Sequence, residues 1–181
     1  MKWTLPPRKP PRDQLVKEAR ELVISRGCFI ESGGCVFQAA AIIEVAARSG
    51  IKLVLQAGTA MWPFCDPETA PEPEPTHFSY VWEGLNHPAV RARIAQGLLP
   101  EIHVWAADPA TQAIVDTTIR EWPTQAKLRA GFAWKLPPPP DFLWGRPPAD
   151  VVYKPDRDAT IFAHRRLIEI GWFDLAKLVG Q

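Results

Sequence analysis

Apolar residues along this chain fall into runs of two different periods. Between Arg12 and Ser25, residues Leu15, Val16, Ala19, Leu22 and Val23 recur at the spacing of an amphipathic helix, and Gly27 is placed to end it. From Cys35 to Ser49 the run is denser. Val36, Phe37, Ala39, Ala40, Ala41, Ile42, Ile43, Val45, Ala46 and Ala47 are interrupted only by Gln38, Glu44 and Arg48. A helix apolar nearly all the way round is buried on most of its sides. Ser32, Gly33 and Gly34 stand just before it, offering a cap and room for close backbone approach, and Gly50 terminates it.

Beyond Gly50 the period shortens. Lys52 to Gly58 reads as a strand, and Thr76 to Glu83 alternates with Phe78, Tyr80 and Trp82 on one face. Pro88 to Leu98 reads as a short helix. Two more strands, Glu101 to Ala107 and Ala113 to Thr118, flank Asp108-Pro-Ala-Thr-Gln112, which has the turn chemistry of a hairpin. Regular patterning fades after Trp122. It returns in a terminal amphipathic helix, about Asp158 to Val179, with Phe162, Leu167, Ile170 and Phe173 on its buried side and Gly171 as a point of interruption. Arg165 and Arg166 belong to that helix's polar face. The chain carries no internal repeat, and the order of elements predicts an α+β fold in one domain over residues 1–181.

Composition narrows the function classes. Twenty prolines concentrate in residues 6–11, 63–75 and 137–148, which mark connections because proline lacks a backbone donor and blocks helix continuation. A formal net charge of +1 gives no broad field for nucleic acid or anionic membrane, so neither is expected as a partner. No apolar run approaches the roughly 18 residues needed to span a bilayer, and the Pro- and Arg-rich start has no signal-peptide core. A cytoplasmic location is therefore expected. Three cysteines, Cys28, Cys35 and Cys65, leave at least one thiol free and make no disulfide framework. Cys65 and His77 lack the paired spacing of a zinc site, so no metal and no cofactor is expected.

The chemistry centres on Cys35. At a helix start it feels the positive end of the helix field, which favours the thiolate, the nucleophilic form. The unpaired backbone N–H groups of that terminus can hold an oxyanion. His103 lies in a strand where His103, Trp105 and Ala107 share one face, read as facing the buried helix. With Asp108 opposite Ala113, Trp105 opposes Asp116, which makes His103 and Asp116 diagonal neighbours on one face. Asp116 then orients the imidazole and leaves its other nitrogen for Cys35. Trp105 either shields that pair from water or simply packs the core. His77 is a weaker base, having no carboxylate in matching register, while His87 and His164 read as surface or satisfied residues. Glu31 reads as a solvated loop charge.

These residues resemble the nucleophile region of the transglutaminase-like, papain-like superfamily. The resemblance rests on Gly34-Cys35 opening an Ala-rich helix, then His103-Val104-Trp105, then Ile114-Val115-Asp116-Thr117-Thr118. The Cys, His, Asp order is similar to that of bacterial transglutaminase-like peptidases, arylamine N-acetyltransferases and lasso-peptide leader peptidases. It covers about residues 32–118, with the Pro-rich connection 137–148 and the helix 158–179 lying outside it. The resemblance implies a papain-like fold, a buried nucleophile helix packed on an antiparallel sheet, with Cys35, His103 and Asp116 as a catalytic triad supported by Gly34 and Trp105. It implies thiol-dependent acyl chemistry on an amide bond, with hydrolysis of a peptide, protein or small amide preferred. Acyl or amine transfer by the same triad, and a non-catalytic protein-binding module keeping the fold, are the alternatives. Two departures stand out: Asp116-Thr117-Thr118 replaces the Asp-Pro-Thr of many members, and residues 28–34 hold no Gln or Asn for an oxyanion hole.

Overall fold

The computed structural model describes residues 10–28, 34–66 and 75–172. Glu31, Ser32, Gly33, Phe173, most of the expected loop after Pro63 and the end of the expected terminal helix lie outside them.

The architecture is α+β, an open antiparallel sheet with helices against it. Helix α1 spans Arg12–Ser25 and buries Leu15, Val16, Ala19 and Val23, as its periodicity predicts. Its end is a Schellman cap: Gly27 has φ 67°, its N–H donates to Ile24 O, and Cys28 N–H donates to Val23 O at 3.2 Å. Helix α2 spans Gly34–Arg48 and is buried on most sides.

The strands are β1 (Val54–Pro63), β2 (His77–Tyr80), β3 (His103–Ala107), β4 (Ile114–Asp116), β5 (Leu143–Gly145) and β6 (Val152–Pro155). They form one six-stranded sheet in which β1 pairs with β2, β3 and β6, β3 with β4, and β4 with β5. Gly58 partners both His103 and Pro155, and Ala60 both Tyr80 and Tyr153, so β6 lies on the opposite edge of β1 from β3 and β2. The β3–β4 hairpin has the expected register: Asp108 N–H donates to Ala113 O at 2.9 Å, and Ala107 opposes Ile114.

Helix α3 spans Pro88–Ala95, helix α4 Trp122–Ala130 after a 3-10 turn at Ile119–Glu121, and helix α5 Arg157–Glu169. Three of these elements correct the reading of residues 122–155 as irregular. α4 begins with Pro123 in its first turn and ends at Gly131, φ 73°, the asymmetric punctuation of a helix. β5 falls inside the Pro-rich stretch 137–148, and β6 follows it; short edge strands tolerate prolines at their ends. α5 ends at Glu169, next to the expected interruption: Gly171 has φ 74° and Trp172 N–H donates to Leu167 O at 2.8 Å. Ile170, expected to be buried, is therefore in the cap and exposed, while Ala159, Ala163 and Leu167 carry the buried face.

Both faces of the sheet are covered. Leu55, Ala57, Val104, Ala106 and Val115 pack with α1, α2 and α5 in one core. On the other face Ala60, Trp62 and Phe78 pack with Ile119, Trp122, Ala126 and Val151, and Trp105 packs with Ala107 and Ile114. His103 shares the face of Trp105. The expectation that it faces the buried helix is corrected: α2 lies on the Val104–Ala106 face, and only its N-terminal end comes near the imidazole. Among the described residues no helix is long and apolar enough to cross a membrane.

Candidate active site

His103 opens β3 and is fully buried, as is Asp116 at the end of β4. The hairpin register makes them diagonal neighbours, and His103 Nε2 donates to Asp116 Oδ2 over 2.6 Å. Asp116 is saturated with donors. Tyr153 Oη donates to the same oxygen at 2.7 Å, and Thr118 donates to Oδ1 from its backbone N–H at 2.9 Å and its hydroxyl at 2.7 Å. Burial alone would raise the carboxyl pKa, but the imidazole's charge and these hydrogen bonds hold it below its ordinary value. For His103, burial pulls the pKa down and the Asp116 carboxylate more than reverses it, so the imidazole binds its proton more tightly than a free histidine.

The other ring nitrogen, Nδ1, is buried without a hydrogen-bond partner among the described residues. Cys35, in the first turn of α2, is a free and partly buried thiol that lies close enough to help raise the pKa of the imidazole. The two side chains line one cavity of about 700 Å³. That size suits a short peptide segment or a small organic ligand. The structure thus brings Cys35, His103 and Asp116 together, with Gly34 also in the lining. Trp105 lies behind the pair, fully buried, its ring 6.0 Å from that of His103 and its Nε1 donating to Gln56 Oε1 at 3.0 Å.

Aromatic rings enclose the imidazole. Tyr80 stacks on it at 5.4 Å, and Trp122 meets it edge-on at 5.1 Å. Tyr80 is in turn covered by Arg129, whose guanidinium carbon lies 4.9 Å from the ring centre and which is paired with Glu101. The cavity wall is largely apolar, with Leu98 and Leu128 exposed at 50% and 74%. Arg166, expected only on the polar face of the last helix, also reaches this lining.

The remaining candidates lie elsewhere. His77 is engaged by Thr76 Oγ1 at 2.9 Å and Asp150 O at 3.3 Å and does not line the cavity. His87 pairs with Glu83 at 3.0 Å, and burial lowers the pKa of His164. Cys65 is buried and donates to Pro75 O, and no group of three or more metal-binding side chains occurs among the described residues. Tyr153, Thr118 and Tyr80 were not singled out from sequence. Thr118 has a local signal, since a hydroxyl two residues after an aspartate can close a turn on it. Tyr153 has none, because its partner is 37 residues away. Comparison with family models, with curated proteins and with solved structures found no match to this chain.

Proposed function

We propose that this chain is a thiol-dependent hydrolase of amide bonds with a papain-like arrangement, in which Cys35 is the nucleophile, His103 the proton carrier and Asp116 its anchor. One observation carries the reading: a fully buried histidine is held through Nε2 by a saturated carboxylate, while its ring lines the same cavity as a helix-start thiol that lies close enough to help raise the imidazole pKa.

The Cys35 thiolate adds to the carbonyl carbon and the carbon–oxygen π pair moves to oxygen. Collapse expels the amine, which takes its proton from the imidazolium, leaving an acyl-thioester. Water then attacks the thioester carbon, giving its proton to His103, and collapse breaks the carbon–sulfur bond, returning the Cys35 thiolate and releasing the acid. An amine in place of water makes the same acyl-enzyme a transferase. The substrate class that fits is a peptide, protein or small amide. A second reading, a non-catalytic protein-binding module, is favoured by the exposed Leu98, Leu128 and Ile170 around the cavity.

The deciding test is alkylation by iodoacetamide across pH, read at each cysteine by mass spectrometry. Catalysis requires Cys35 to react well below the ordinary thiol pKa of about 8.5, faster than Cys28 and Cys65, and to slow in His103→Ala. A Cys35 that behaves as an ordinary thiol, or identically without His103, leaves the binding module as the surviving reading.

A further inference from the structure

We propose that the Tyr80 hydroxyl is the side-chain donor that holds the oxyanion formed when Cys35 attacks a carbonyl. This rests on the hydrolase reading and deepens it, because residues 28–34 supply no amide side chain for that role. The backbone N–H groups at the start of α2 provide one half of an oxyanion hole. The other half must come from a donor lining the cavity, and most of those already hold another partner. Arg93 Nε donates to Leu99 O at 2.9 Å, Arg129 pairs with Glu101, Arg166 pairs with Glu169 at 3.1 Å, and the Thr118 hydroxyl donates to Asp116.

Tyr80 is placed differently. β1 runs from its pairing with His103 at Gly58 to its pairing with Tyr80 at Ala60, so the two rings fall side by side at the same point of the sheet. Tyr80 is locked there by the His103 stack at 5.4 Å, by edge contacts with Phe78 at 5.3 Å and Trp122 at 5.5 Å, and by Arg129 at 4.9 Å. A guanidinium can only donate, so where Arg129 engages the phenol it takes an oxygen lone pair and leaves the O–H free to donate elsewhere. Burial, with Cys35 nearby adding to it, pushes the phenol pKa up to about 12, so the group stays protonated at every working pH. A neutral, braced O–H in the cavity that the attacking thiol also lines matches what developing negative charge on oxygen needs, and it costs no reorganisation when the charge appears.

The test separates attack from oxyanion formation. Alkylation by iodoacetamide displaces iodide at a saturated carbon and makes no oxyanion. Acylation by p-nitrophenyl acetate passes through one, releasing p-nitrophenolate as the acetyl group joins Cys35. In Tyr80→Phe, which keeps the ring and its stacking, the alkylation rate of Cys35 should stay within about threefold. Acylation should fall by about 10²-fold, the usual effect of removing one oxyanion donor. Preserved alkylation itself reports an intact fold. Equal acylation in the variant, or parallel loss of both reactions, overturns the proposal, as does a comparable acylation loss in Gln125→Ala, which would give the role to that cavity-lining amide. The hydrolase reading fails separately, in the unmodified protein, if its Cys35 alkylates like an ordinary thiol.

Discussion

Tyr153 Oη donates to Asp116 Oδ2 over 2.7 Å, linking β6 to β4, two strands that do not pair with one another. Trp62 Nε1 donates in turn to Tyr153 Oη at 3.2 Å, so the carboxylate that anchors His103 is itself anchored from across the sheet. Burial, and then the Asp116 charge, push the phenol pKa well above the usual tyrosine value, which keeps it a donor.

Tyr153→Phe removes one hydrogen bond to a buried carboxylate and orphans the Trp62 N–H. A hydrogen bond to a charged group contributes about 1.5–3 kcal/mol, so a loss of stability in that range is expected from urea unfolding. The same variant should slow Cys35 alkylation near neutral pH, because a looser Asp116 orients His103 less well. Stability and alkylation both unchanged from the parent protein would remove Tyr153 from the site.

The pH dependence of stability follows from the two opposed shifts. His103 has its pKa raised to about 10, so its contribution is complete below the unfolded value of about 6.5 and drains away as pH rises toward 10. Asp116 is lowered, so its contribution is complete above the unfolded carboxylate value of about 4 and is lost as pH falls through the folded one. The pair therefore stabilises most between about pH 4 and 6.5. Urea midpoints of the parent protein and of a His103→Gln, Asp116→Asn double variant should lie furthest apart in that window and converge toward pH 10. A gap independent of pH would mean the pair is not ionised in the folded state.

The His103–Asp116 pair was legible because hairpin register can be counted. Once Asp108 opposes Ala113, alternation places Trp105 against Asp116 and leaves no freedom for His103. The helix start at Cys35 was equally readable from its glycines and its apolar run. Alternation could not say which face of the sheet the helix covers, since both faces here are buried, and that is why the orientation of His103 relative to α2 came out reversed. β5 and β6 escaped because three- and four-residue strands among prolines have too little pattern of their own; pairing with β4 and β1 is what makes them strands. Tyr153 was lost with β6. By contrast α4 was signalled by Pro123 and Gly131 and could have been found.

Asp156 is the N-cap of α5, its Oδ1 accepting from Asp158 and Ala159 N–H at 2.9 Å each. Asp156→Ala leaves both donors without that acceptor and removes a negative charge from the helix start, which should cost about 1 kcal/mol. Because Asp156 caps the end of α5 opposite to Arg166 and Ile170, which line the cavity, the alkylation profile of Cys35 should not change. A large change in that profile would mean that α5 is coupled to the site more tightly than its packing indicates.

Gly58 links fold stability to the site. It sits in β1 between His103 on one edge and Pro155 on the other. A Cβ there would stand 2.2 Å from Lys154 O and 2.9 Å from Asp156 N, both backbone atoms that cannot swing aside. Gly58→Ala must therefore displace β6, and overpacking of this kind costs about 1–3 kcal/mol. β6 carries Tyr153, so its displacement should also break the bond to Asp116 and slow Cys35 alkylation. The decisive measurement is a double-mutant cycle with Tyr153→Phe. If Gly58→Ala has already separated Tyr153 from Asp116, adding Tyr153→Phe should cost markedly less than it does alone. Fully additive losses would mean β6 accommodates the methyl group without moving Tyr153, and that the glycine serves strand packing alone.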